Sequence, residues 1–199
     1  FLQKQCRCSW NSLCKQHLGV DAVHLLDPTL LLDVEDYIKL FKESGVPKSS
    51  GNLFCYVLDK NPVVDNIINI LEEDGFTPLY ANLDTTPTTG NPRPVQLTTE
   101  EWLRGFYDAE FVVTDSFHAC VFSILFNKPF VVYGNIDRGI SRVQSLLKMF
   151  NLNGRLVCST DEFIDNKDRI VSLSDAAKLN EIMSSLREES LAFIADVGL

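Results

Sequence analysis

The sequence predicts an α/β protein built on a doubly wound parallel sheet, and three observations carry that expectation. Residues 111–130 read FVVTDSFHACVFSILFNKPF: a β-branched and aromatic run at 111–113, a polar turn at Thr114-Asp115-Ser116, then a helical pattern of small and apolar residues. Lys128-Pro129 ends that pattern before a second strand-like run at 130–133, so the stretch predicts strand, turn, helix, strand. The run LFCYVL at 53–58 reads as a buried strand, turned by Asp59-Lys60-Asn61-Pro62 into a helix over 63–73 with Val64, Ile67, Ile68 and Leu71 on its apolar face. Strand and helix patterns then keep alternating with no internal repeat, as a parallel sheet with right-handed crossovers requires.

The other elements follow from local chemistry. Residues 1–20 have little clean periodicity, and 23–26 resembles a short strand closed by Asp27-Pro28. Pro28 pushes Asp27 into an extended conformation and cannot donate a ladder bond, which fits a strand end or a hinge. Asp33 caps a helix over 34–43 with Tyr37, Leu40 and Phe41 on one face, and 45–51 is a loop. Asp74-Gly75 stops the helix over 63–73, and 77–81 is the next strand. Residues 84–94, rich in Pro, Thr, Gly and Asn, form a long loop at a ligand-facing edge. Thr98 or Thr99 starts the next helix, and the Thr98-x-x-Glu101 spacing is that of a capping box. After the strand at 130–133, a loop over 134–139 leads into a helix over 140–150 with Val143, Leu146 and Leu147 inward. An amphipathic, highly charged helix over 174–194 ends the series.

Composition narrows the function classes. With 199 residues, 45% of them hydrophobic, the chain can bury a substantial core. A formal net charge of −9 argues against a general nucleic-acid or acidic-membrane binder, so an anionic ligand needs a local basic cluster. No apolar run is long enough to span a bilayer and no secretory leader is present, while the start at Phe1 suggests a piece of a larger protein. Of the six cysteines, Cys6, Cys8 and Cys14 lie near His17, but their spacing matches no common zinc finger. Reduced thiols are the simpler reading, with Cys55 and Cys120 as core residues inside apolar runs.

In doubly wound sheets the ligand sits outside the carboxyl ends of the strands, where helix N-termini offer free N–H groups. Asp115, Ser116 and His118 fall at such a point. Ser116 can cap the helix while facing the ligand, and an imidazole at His118 can bind an oxyanion or pass a proton. After the next strand comes NIDRGISR at 135–142, in which Arg138 and Arg142 are four apart and can grip one carboxylate or phosphate. The plainer alternatives are that Thr114, Asp115 and Ser116 only cap, that His118 is a satisfied buried group, and that Arg138 pairs with Asp137 at a solvated helix start. His17 and His24 have no assigned role.

At these two motifs the chain resembles the polysaccharide pyruvyl transferase family. The residues that carry the likeness are TDSFHACVFSILFNKPFVVYGN at 114–135 and RGISRVQSLLKMFNL at 138–152, with LDPTLLL at 26–32 and EEWL at 100–103 fitting in spacing. The likeness runs from Leu18 to about Val157. It implies a Rossmann-like doubly wound sheet, one lobe of a two-domain architecture of the GT-B glycosyltransferase type. Residues 1–32 would be a remnant of the first lobe and a linker, and 33–199 the ligand-binding lobe with its C-terminal helix. It also implies transfer of the enolpyruvyl group of phosphoenolpyruvate onto a sugar hydroxyl, forming a pyruvate ketal in surface polysaccharide. His118 would be the general acid, oriented by Asp115, with Ser116, His118, Asn135, Arg138 and Arg142 holding the donor. No metal and no cofactor beyond the donor is implied. The expected partners are a saccharide or lipid-linked oligosaccharide acceptor and the N-terminal lobe of the same protein, without which the chain is expected to be inactive. The expected location is the cytoplasm, extending to the inner face of the membrane. Two rivals stand beside this: a nucleotide-sugar glycosyltransferase lobe, and a non-catalytic lobe that binds a sugar or a partner protein.

Overall fold

The computed structural model describes residues 10–81, 97–135, 140–172 and 175–198. Five strands, β1 (Leu53–Tyr56), β2 (Pro78–Tyr80), β3 (Phe111–Thr114), β4 (Phe130–Tyr133) and β5 (Leu156–Val157), form one sheet in the order β2-β1-β3-β4-β5. Every pairing is parallel. From β1 the chain steps outward to β2 and returns on the other side of β1 to lay down β3, so the winding direction reverses between β1 and β3. That reversal opens a crevice at the carboxyl ends of the strands.

The sheet is buried on both faces because its strands alternate cleanly. Phe54, Val112, Phe130 and Val132 join one apolar cluster; Leu53, Cys55, Phe111, Val113 and Val131 join the other. Helices α3 (Pro62–Glu73) and α7 (Thr160–Val171) cover the second face through Val64, Ile67, Phe163 and Ile170. The first face takes α2 (Val34–Glu43), α4 (Thr99–Asp108), α5 (Phe117–Leu125), α6 (Ile140–Met149) and α8 (Ala176–Asp196). Two-sided covering is what near-continuous apolar strands demand. Helix α5 carries seven consecutive buried residues, Ala119 to Leu125, and lies across the middle of that face.

The helix signals in the sequence are realised in detail. Thr98 Oγ1 accepts from Glu101 N at 3.2 Å while Thr98 N donates to Glu101 Oε2 at 2.8 Å, closing the capping box of α4. Asn61 caps α3 through Val63 N, with Pro62 in the first turn, where a missing N–H costs nothing. Cys55 and Cys120 are buried in the core; burial, with a smaller contribution from Glu72, pushes the Cys55 thiol up to about 12, and burial followed by the charge of Asp115 also raises Cys120.

Four expectations need correction. Residues 23–26 are not a strand: Leu26 N donates to the Ser190 hydroxyl of α8 at 3.1 Å instead of to a ladder partner. Asp27-Pro28 starts a 3₁₀ turn, Pro28–Leu31, capped by Asp27 Oδ1 on Thr29 N at 3.0 Å. Helix α1 (Trp10–Leu18) occupies a stretch read as aperiodic. Helix α7 and strand β5 had no counterpart in the sequence reading; Ser159 caps α7 through Glu162 N at 3.1 Å.

The segment 26–33 is strapped down by α8. Arg187 Nε donates to Leu30 O at 2.9 Å, its Nη2 to Leu32 O at 2.8 Å, and its Nη1 pairs with Asp33. Leu30 is fully buried beneath this strap.

Two measurements test these packing arguments. A methyl group at Gly105 of α4 would lie 2.3 Å from the buried Phe54 ring of β1. The intrinsic helix gain of Gly105→Ala, about 1 kcal/mol, loses to an overpacking cost of about 1–3 kcal/mol, so its urea midpoint falls. Asp108 accepts from Ser49 N at 2.8 Å and from Arg104 Nε at 2.7 Å. Burial alone would raise its pKa, but the hydrogen bonds from Arg104 and Ser49 and the Arg104 charge hold it below the ordinary carboxylate value. A carboxyl depressed in the folded state stabilises above its unfolded pKa, and that contribution fades as pH falls through the lower folded value. Asp108→Asn is therefore less stable than the parent at neutral pH, on the order of 1 kcal/mol. The gap closes below about pH 4, read from denaturation midpoints across pH.

Candidate functional site

The crevice at the β1/β3 reversal is a cavity of about 210 Å³ lined by the loop after β1 (Leu58), the β3–α5 junction (Asp115 to His118), the end of β4 (Tyr133 to Asn135) and α6 (Ile140, Arg142, Val143). Three chain segments meet there because β1, β3 and β4 are neighbours with their carboxyl ends on one side.

Asp115 organises the meeting. It is buried at 6% exposure, and its two oxygens accept from Leu58 N at 2.7 Å and Asp59 N at 3.0 Å. Just before it, Thr114 Oγ1 donates to Tyr56 O at 2.6 Å and accepts from Ser116 N at 2.9 Å. Asn135 Nδ2 donates to Asp59 Oδ2 at 2.8 Å, which extends the network to the end of β4. These bonds fix the floor of the cavity and the angle at which α5 leaves the sheet.

Ser116 occupies the N-cap position of α5 in extended conformation (φ −97°, ψ 133°), yet its hydroxyl makes no cap hydrogen bond. The expected capping role is not realised; the hydroxyl lies at the cavity wall instead. The first amides of α5 lack intrahelical acceptors and carry the positive end of the helix dipole, the ordinary equipment for an anion.

His118 stands on the first turn of α5 with its side chain 59% exposed. No hydrogen bond or ion pair joins Asp115 to His118: both Asp115 oxygens are taken by Leu58 N and Asp59 N, so the expected orientation of the imidazole is not made by a direct bond from Asp115. The carboxylate within reach is Asp27, whose Oδ2 lies 3.9 Å from His118 Nε2. Arg142 lies with its guanidinium 4.7 Å from the centre of the Phe117 ring and lines the cavity, with no carboxylate partner among the described residues. Cation–π contact holds the guanidinium in place without neutralising it. Arg138 lies outside the described residues.

Ser116, His118, Asn135 and Arg142 thus share one cavity, and Asp115 shapes it from beneath. Sequence reasoning missed Asp27 and Asp59. An Asp immediately before a Pro that can open a helical turn was the available signal for Asp27 as a capping group; its proximity to His118 is a product of the tertiary fold. Among the described residues no group of three or more His, Cys, Asp or Glu is placed to hold a metal ion. Among the described residues no helix is long and apolar enough to cross a membrane.

The family model for polysaccharide pyruvyl transferases matches residues 9–138, which include β1 to β4, Asp27 and the whole β3–α5 junction. The chain belongs to the polysaccharide pyruvyl transferase family. Searches of curated proteins and of solved structures each returned no match. The family-model match ends before Arg142, so that residue's place at the cavity rests on the geometry and not on that match.

Removing the Asp115 carboxylate leaves two amides without an acceptor. Each donor left unsatisfied costs about 1–3 kcal/mol when buried; both amides here are part-buried, so Asp115→Ala loses roughly 2–6 kcal/mol at most. Asp115→Asn also loses stability, because it replaces one of the two accepting oxygens with an NH2 group that faces a backbone N–H donor. Chemical denaturation checks both, and an unchanged midpoint in either variant contradicts the anchoring role.

Proposed function

We propose that this chain is the donor-binding lobe of an enzyme that transfers the enolpyruvyl group of phosphoenolpyruvate to a sugar, forming a pyruvate ketal. The observation that carries the reading is the convergence of the α5 N-terminus, His118 and Arg142 on one small cavity, in a chain of this family. A volume of about 210 Å³ is enough for a three-carbon phosphate.

Phosphoenolpyruvate carries two anionic groups. The α5 amides and Ser116 take one, Arg142 the other, and Arg138 in the adjoining segment is a further candidate. His118 delivers a proton to the methylene carbon, which becomes methyl, and C2 becomes an oxocarbenium centre. A sugar hydroxyl adds to C2 and loses its proton. A second hydroxyl of the same sugar then replaces the phosphate, giving the ketal and inorganic phosphate. The acceptor is a saccharide or a lipid-linked oligosaccharide. The chain works in the cytoplasm or at the inner membrane face, paired with a second lobe of GT-B type that closes the cleft.

Thermal unfolding with millimolar phosphoenolpyruvate tests this. Ligand at about 100 times its Kd stabilises by about 2.7 kcal/mol, and each kcal/mol moves the Tm of a domain this size by about 2–4 °C. The expected result is a shift of several degrees that His118→Gln and Arg142→Gln each abolish and nucleoside diphosphates do not reproduce. No shift, or an equal shift in both variants, overturns the assignment.

A further inference from the structure

A second cavity, of about 250 Å³, adjoins the first; Phe117 and Arg142 line both. Its wall mixes polar groups from His24, Asp27 and Ser145 with apolar surface from Phe117, Leu146 and Met149. We propose that this cavity seats the acceptor sugar, and that Asp27 takes the proton from the attacking hydroxyl. The inference rests on the donor reading above.

The lining fits a pyranose ring in particular. A sugar presents C–H faces to aromatic and thioether surface and hydroxyls at its rim to carboxylate, imidazole and hydroxyl groups. Phe117 and Met149 supply the first kind of surface; Asp27, His24 and Ser145 supply the second. Because Phe117 and Arg142 line both cavities, a ring seated here lies directly beside the donor cavity, and its hydroxyls reach C2 past the rim of the Phe117–Arg142 pair.

Asp27 stands at that seam, held in place for the task. Its Oδ1 accepts from Thr29 N at 3.0 Å, and its Oδ2 lies 3.9 Å from His118 Nε2. The segment that carries it is strapped by Arg187 and by the Ser190 hydroxyl of α8. Proton accounting closes with these two residues. His118 gives a proton to the methylene carbon; the hydroxyl oxygen then bonds to the oxocarbenium C2 and its proton passes to Asp27. Asp27 then returns that proton to His118. When the second hydroxyl displaces phosphate, its proton goes to Asp27 and leaves with the departing phosphate.

Saturation-transfer NMR on the full chain, with the methyl pyranosides of glucose, mannose and galactose as probes, tests the seat. At least one probe is expected to bind, Ser145→Trp to abolish that binding by filling the cavity, and His118→Gln to leave it intact. Asp27→Asn keeps an acceptor for Thr29 N–H, so it folds; it is expected to weaken the probe about tenfold, the difference between a charged and a neutral acceptor. No bound probe, binding that survives Ser145→Trp, binding lost in His118→Gln, or full affinity in Asp27→Asn overturns the proposal. Phosphoenolpyruvate shifts measured on the same samples separate the two readings. Probe binding as expected with no donor shift overturns the donor assignment, and with it the acceptor role, but leaves a sugar site. A donor shift with no probe bound overturns only the seat.

Discussion

The carboxylate of Asp115 joins the loop after β1 to the end of β3, across the line where the sheet reverses its winding. Without that bridge two backbone amides would face the crevice unsatisfied, and the loop carrying Leu58 and Asp59 would have no fixed height above the sheet. Asn135 depends on Asp59, and the departure angle of α5 depends on Thr114 and Ser116. A single buried charge, compensated by backbone donors and not by a cation, therefore organises the ligand-facing end. It also accounts for an acidic side chain at the floor of a cavity read as an anion site: the amides of Leu58 and Asp59 engage its oxygens, while the α5 amides, His118 and Arg142 face the space above.

The rest of the fold serves to hold α5 still. Seven consecutive buried residues leave that helix no solvent face along its middle, and Phe122 packs edge-on against Tyr37 and Trp102, with centroids 5.1 and 4.9 Å apart. Aromatic contacts of this kind resist sliding because the rings interlock at defined angles. A helix so confined keeps its N-terminal amides and His118 in one place, which is the preorganisation an anion site requires.

Much of this was legible in the sequence, and the parts that were not have physical reasons. The strands β1, β3 and β4 announce themselves because they are buried on both faces, and α3, α4 and α6 because their stripes repeat at helical spacing. Strand β5 has two residues, too few for any period, and α7 reads TDEFIDNKDRIV, in which only Phe163 and Ile170 are buried. Residues 23–26 have strand-like composition, but they join neither edge of the five-strand sheet: Leu26 N bonds the Ser190 hydroxyl of α8, and Asp27-Pro28 turns the chain into a 3₁₀ segment. Within the site, Ser116, His118 and Arg142 were found because each sits at a helix start beside a strand end. The Asp27–His118 approach was invisible because it depends on how α8 and α5 grip a segment far away in the chain.

The strap formed by Arg187 and Ser190 has a consequence for where this unit can be cut. The family-model match stops at residue 138, and the last strand ends at Val157, so a boundary drawn on either criterion would discard α8. Yet α8 supplies the Ser190 hydroxyl that accepts from Leu26 N and the Arg187 donors that hold Leu30 O and Leu32 O in position. A chain shortened before α8 would lose its grip on Asp27, the carboxylate that reaches His118 among the described residues. The geometry of the crevice is thus set in part by a tether on α8, and not only by the reach of the recognisable motif.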